Sequence, residues 1–116
     1  MITLAECAQL SATERTLLER FAAQAKEVLR DNLVSIILFG SRARGEARQD
    51  SDVDLLLAVK DLNRASQGLD DLDDVVLDLL LEYGLLLALI PVDAAEFARQ
   101  ERLLYRFASR EGVRIL

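Results

Sequence analysis

Two acidic residues and a tight turn are the parts of this 116-residue chain equipped for chemistry. Asp52-Val53-Asp54 opens an apolar run that ends near Val59. Successive side chains on a strand point to opposite faces, so Asp52 and Asp54 share one. Two carboxylates that close repel each other, which favours either a shared proton or a bound cation. Oxygen-only ligands suit Mg²⁺, a small hard ion that keeps several waters and borrows substrate phosphates to fill its octahedron. Gly40-Ser41 precedes Asp52 with ten residues between them. Gly40 lets a backbone approach a phosphate closely, and Ser41 adds a hydroxyl and an N–H at the start of a turn. Arg42, Arg44 and Arg48 supply planar donors for phosphate oxygens. The combination describes a site for a metal-bound polyphosphate.

The elements that position these groups are legible in the periodicity. Val34-Ser35-Ile36-Ile37-Leu38-Phe39 is short and rich in β-branched residues, which predicts a buried strand over 33–39 that delivers the Gly-Ser turn. Arg42–Ala47 has room for about one helical turn. A second strand, 53–59, is apolar on both faces after Asp54 and is expected at the centre of the sheet. Ser11-Ala12-Thr13-Glu14 has capping-box spacing and opens a helix over 12–30, with Leu17, Leu18, Phe21, Ala25 and Leu29 on one stripe. A polar connection is expected over 60–68, then a helix over 69–83 that Gly84 stops. That helix has an apolar stripe and a face of Asp70, Asp71, Asp73, Asp74, Asp78 and Glu82, read as solvated charge near the positive helix end rather than a second metal cluster. Leu77 and Leu81 widen its apolar arc toward a partner surface. Residues 85–90 predict a third strand, which Pro91 assigns to an edge. Asp93 caps a last helix over 94–110, and 113–116 is an apolar tail suited to a short edge strand or to a partner. The expected whole is a single α/β (α+β) domain over 1–116, a three-stranded mixed sheet with room for one extra edge strand, packed by about four helices.

Gly40-Ser41, the ten-residue spacer and Asp52-x-Asp54 entering a strand resemble the DNA polymerase beta-like nucleotidyltransferase superfamily. The fuller Leu38-Phe39-Gly40-Ser41-Arg42-Ala43-Arg44-Gly45 form resembles its minimal nucleotidyltransferases, many of them antitoxins paired with a HEPN-domain toxin. The resemblance implies that fold, with Asp52 and Asp54 as catalytic metal ligands for Mg²⁺ and Gly40, Ser41, Arg42 and Arg44 on the phosphates of ATP. It further implies transfer of AMP to a hydroxyl, a tyrosine of a HEPN-type partner. The superfamily usually adds a third carboxylate from the neighbouring strand. Leu85–Ile90 offers none, and Asp93, the nearest acid, is better read as a cap than as that ligand. The gap supports an alternative: a weakened or inactive nucleotidyltransferase fold that neutralises its partner by binding alone.

Composition excludes several other classes. The chain has no histidine, which removes Ser-His-Asp triads, His-ligated zinc and His acid–base schemes together. A net charge of −6 argues against direct nucleic-acid binding. No run is long and apolar enough for a membrane span, and the first residues lack signal-peptide character. Cys7, the single cysteine, forms no internal disulfide, which suits a reducing cytoplasm. Self-association stays open.

Overall fold

The computed structural model describes residues 1–116. Five strands form one mixed sheet in the order β1-β5-β2-β3-β4: β1 Ile2–Thr3, β2 Leu33–Phe39, β3 Val53–Val59, β4 Leu87–Asp93 and β5 Val113–Arg114. The helices are α1 Ala12–Leu29, α2 Leu62–Tyr83, α3 Ala94–Arg99 and α4 Leu103–Glu111. β2 and β3 pair antiparallel, and β3 and β4 pair parallel. β3 is central and fully apolar after Asp54, as a strand covered on both faces must be. β4 takes the edge, where the missing N–H of Pro91 costs no ladder bond.

Alternation along the strands divides the interior in two. Ile36, Leu38, Leu55, Leu57 and Val59 face α1 and α2 and build the larger core with Leu17, Phe21 and Leu72. Ile37, Leu56 and Ala58 point the other way, against Tyr105 and Ala108 of α4. Asp54 has the parity of Leu56 and Ala58, so its side chain belongs to the α4 face. Opposite α4 the sheet is backed by the larger core, which holds the strand carrying Asp54 rigidly.

Several boundaries differ from the sequence expectation. α2 begins at Leu62, inside the segment expected as a polar connection, because the Asp61 side chain caps it by accepting from Arg64 N at 3.1 Å. Gly68 lies within that helix without ending it. A Cβ there would stand 2.7 Å from Leu29 Cδ2, so the glycine permits close approach of α1 and α2. The single helix expected over 94–110 is two, broken at Gln100 in the left-handed region with φ +56°. In place of the single helical turn expected over 42–47, residues 41–45 form a hydrogen-bonded turn. The sheet has five strands: the Val113–Arg114 tail pairs with β2 as the extra strand the sequence allows for, and the lead-in Ile2–Thr3, not expected as a strand, pairs with it in turn. The capping box of Ser11 and Glu14 and the left-handed stop at Gly84 match the expectation. No helix is long and apolar enough to cross a membrane.

Candidate active site

The ladder itself brings the two halves of the motif together. Phe39, the last residue of β2, is the cross-strand partner of Asp54, so the chain leaves β2 beside that carboxylate. Gly40 follows with φ +76°, and a Cβ built on it would meet Asp54 Oδ2 at 2.4 Å. A side chain here fits only if the Asp54 carboxylate moves away from the turn. Glycine is therefore favoured twice over, by the backbone angle and by the position it leaves the carboxylate.

After Gly40 the chain closes a compact coil. The amides of Arg44 and Glu46 donate to the carbonyls of Gly40 and Ser41 at 3.2 and 2.8 Å, and that of Gly45 donates to Arg42. The amides of Ser41, Arg42 and Ala43 have no protein acceptor. Three successive free N–H groups at the start of a turn are the backbone arrangement that binds anionic oxygens at a helix start.

Arg42 has a different task from the one expected of it. Its side chain is buried and points into the protein, with Nη1 on Glu14 Oε2 at 2.7 Å. Nε and Nη2 donate to the Ser51 carbonyl at 3.2 and 2.5 Å, and Nη2 also reaches the carbonyls of Arg48 and Gln49. The expectation that Arg42 serves phosphate is corrected: every nitrogen of its guanidinium has a protein acceptor, and it ties the 48–51 loop to α1. That loop leads directly into Asp52, so Arg42 fixes the entry of the carboxylate strand. Glu14 is correspondingly constrained. Burial opposes its ionisation, yet the bonds from Ser11 and Arg42 hold its carboxyl below the usual glutamate range.

The two aspartates are unencumbered. Asp52 is exposed and Asp54 half-buried, and neither is in an ion pair with any arginine or lysine. Burial raises the Asp54 pKa, the Asp52 charge raises it further, and the Arg44 charge pulls it back. A raised carboxyl beside a second carboxylate is the electrostatic condition that a cation relieves. Arg44 stands near enough to act on Asp54 but is held by Glu46 at 3.1 Å and Glu111 at 3.2 Å. Arg44 is exposed, as is Arg48, which enters no ion pair, so these two and not Arg42 have guanidinium groups open to a bound anion.

No third acid joins the pair. Asp93 pairs with Val59 at the far end of β3, whereas Asp54 pairs with Ala88. Five residues of strand separate the two levels, roughly 16 Å. Asp93 accepts from Glu96 N at 2.9 Å and is the cap of α3, so its weak candidacy as a third ligand ends. The β4 positions beside Asp54 on its own face are Ala88 and Ile90, both apolar, and Leu86 just before the strand is apolar too. The donor set fits a hard divalent cation that brings waters and phosphate oxygens with it, and does not fit one needing an all-protein cage. Glu14 and Glu111, which hold the two arginines, carry no sequence signal for that work: each is far along the chain from its partner.

An open rim with a glycine-tight turn, free amides and a carboxylate pair on a mixed sheet defines a nucleotide-handling α/β domain. The chain belongs to the family described as "Nucleotidyltransferase domain", whose profile matches residues 18–115. It is 40% identical over 83 residues to "Putative protein adenylyltransferase MJ1305" of Methanocaldococcus jannaschii, covering 71% of this chain and 56% of that one. It is 35% identical over 74 residues to "Putative protein adenylyltransferase MJ0604" of the same organism, covering 64% and 68%. The chain thus spans little more than half of the first relative's length. A solved structure described as "Crystal structure of the toxin-antitoxin with AMP-PNP" superposes with a TM-score of 0.53 at 21% identity, over 84% of this chain and 72% of that one, which shows the shared fold.

Proposed function

We propose that this domain is a Mg²⁺-dependent adenylyltransferase that moves AMP from ATP to a hydroxyl on a partner protein. The observation that carries the reading is the Asp54 carboxylate against Gly40, with neither aspartate in an ion pair. Asp52 and Asp54 would hold the metal, which when bound offsets phosphate charge and polarises the α-phosphorus. Gly40 gives the β- and γ-phosphates room beside Asp54, and the free amides of Ser41, Arg42 and Ala43 donate to their oxygens. Arg44 turns from its glutamates to the triphosphate rim. In the transfer the acceptor oxygen bonds to the α-phosphorus, the bond to the β-phosphate oxygen breaks, and pyrophosphate leaves. The hydroxyl proton passes to solvent across the exposed rim, since no third carboxylate is placed to take it.

The relatives' names support a protein as acceptor, and the toxin–antitoxin neighbour supports an antitoxin role; a HEPN-type toxin with a tyrosine hydroxyl as the modified group rests on the motif resemblance of Leu38–Gly45 alone. A cytoplasmic setting agrees with a single buried, unpaired cysteine. The apolar β4 positions beside Asp54 favour a second reading, in which the domain binds nucleotide and partner but transfers slowly or not at all. A missing base typically costs about 10²–10⁴-fold in rate. Incubation with ATP labelled on the α-phosphate, Mg²⁺ and the protein that co-purifies from the native cell separates the two. Label and the mass of one AMP on a partner hydroxyl support transfer; a tight complex without label supports binding alone.

A further inference from the structure

The geometry points to α4 as the docking surface for the acceptor: a segment of the partner protein with apolar anchors and acidic flanks, laid along Leu103, Leu104 and Phe107. The inference rests on the transfer reading and adds to it what the partner must look like. α4 buries only Tyr105 and Ala108 against the sheet. Its outer face is apolar as well, with Leu103 65%, Leu104 37% and Phe107 50% exposed. Large apolar side chains grouped on one short helix are not explained by the domain's own packing. Leu103 and Phe107 lie one turn apart, the spacing of anchors for a partner helix or strand.

The charge around this strip is opposite to that of the protein. The chain carries −6 overall, yet Arg106 and Arg110 flank Phe107 and enter no ion pair; Arg106 Nε donates only to the Gln100 carbonyl at 2.9 Å. Guanidinium groups without a carboxylate of their own beside apolar anchors favour a partner with carboxylates beside its anchors.

The strip also leads to the site. Glu111, one turn beyond Phe107, holds Arg44 at 3.2 Å, and the charge of Arg44 acts on Asp54. α4 and the Asp54 side chain lie on the same face of the sheet. A segment seated on α4 is therefore delivered beside the carboxylates, with its hydroxyl about a helical turn or two (roughly 5–11 Å) from Phe107. Two other occupants compete: a second copy of this chain offering the acidic face of α2 with its exposed Leu77 and Leu81, and a nucleic acid offering phosphates.

The test uses the full chain and a fluorescent amphipathic peptide of about 15 residues, with Leu and Phe anchors, Glu flanks and one Tyr, against the same peptide with Lys for Glu. Anisotropy is expected to show the acidic peptide binding and the basic one not. Leu103→Ser with Phe107→Ser should weaken binding at least about tenfold, and Arg106→Glu with Arg110→Glu should reverse the preference. All four positions are exposed, so circular dichroism should show unchanged folding. Indifference to peptide charge, or binding unaffected by both double variants, overturns the proposal. So does a concentration-dependent dimer lost in the same variants, or preferential binding of single-stranded DNA. Calorimetry with Mg²⁺-ATP on the same proteins keeps the two readings apart. The α4 variants should bind it as wild type does, and its absence in wild type would sink the nucleotide site while leaving the docking result standing.

Discussion

Replacing Gly40 by alanine perturbs two separable things. Gly40 has φ +76°, a region that costs an L-residue roughly 1–2 kcal/mol. In a domain of this size that lowers Tm by about 5–10 °C. The new Cβ would also stand 2.4 Å from Asp54 Oδ2, against an ordinary contact of about 3.5 Å. The carboxylate has to retreat by about 1 Å, and it can, because it is the end of a side chain with no protein partner. Misplacement of a reacting or liganding group by that distance costs on the order of 10²-fold. Gly84→Ala is the matched control: φ is +73° and no atom lies within 4 Å of the added Cβ. Both variants should therefore lose similar stability by thermal denaturation, while only Gly40→Ala loses Mg²⁺-ATP binding by calorimetry. Nucleotide binding retained equally in both would refute the placement of the metal between Asp54 and this turn.

Arg42→Met should destabilise the fold by about 3 kcal/mol, since it leaves the part-buried Glu14 carboxylate with the Ser11 amide alone and deprives the Ser51 carbonyl of its donors; urea denaturation reads this directly. Asp54→Asn should raise stability at neutral pH by on the order of 0.5 kcal/mol while abolishing metal-dependent nucleotide binding. The sign follows from its raised pKa: the ionised form is disfavoured in the fold, so the penalty is present above the folded value and relieved as pH falls through it. A denaturation series against pH should show the gain disappearing in acid. Glu14 behaves oppositely. Its lowered pKa contributes stability that is complete above the ordinary glutamate range and is lost as pH falls through the folded value, so Glu14→Gln should be less stable than wild type at neutral pH, with the difference closing as pH falls.

The chemistry of the site was more legible than its supports. The nearness of Gly40 to Asp54 is readable because the strand fixes the face of Asp54 and a glycine fixes the approach, both local properties of sequence, while Asp52 stands just before β3. Arg42 misled because an arginine next to a phosphate-type turn looks the same whether its side chain points out or in. What turned it inward is Glu14 on α1 and the carbonyl of Ser51, contacts made only once the chain has folded. The polar run before Gly68 was read as a connection because solvated helix faces and loops share a composition, and Gly68 resembled a breaker while serving helix packing. The break at Gln100 has no proline or glycine to mark it. Asp93 was placed correctly as a cap, since capping depends on neighbours in sequence.

The central claim is that Asp52, Asp54 and the Gly40 turn together hold a metal-bound nucleoside triphosphate. Titration calorimetry of ATP into the full chain, with Mg²⁺ and then with EDTA, repeated on the folded Asp52→Asn/Asp54→Asn double variant, tests it most directly. Binding that needs Mg²⁺ and vanishes in the double variant is the predicted result. Binding that persists in EDTA, or is unchanged in the double variant, would contradict it.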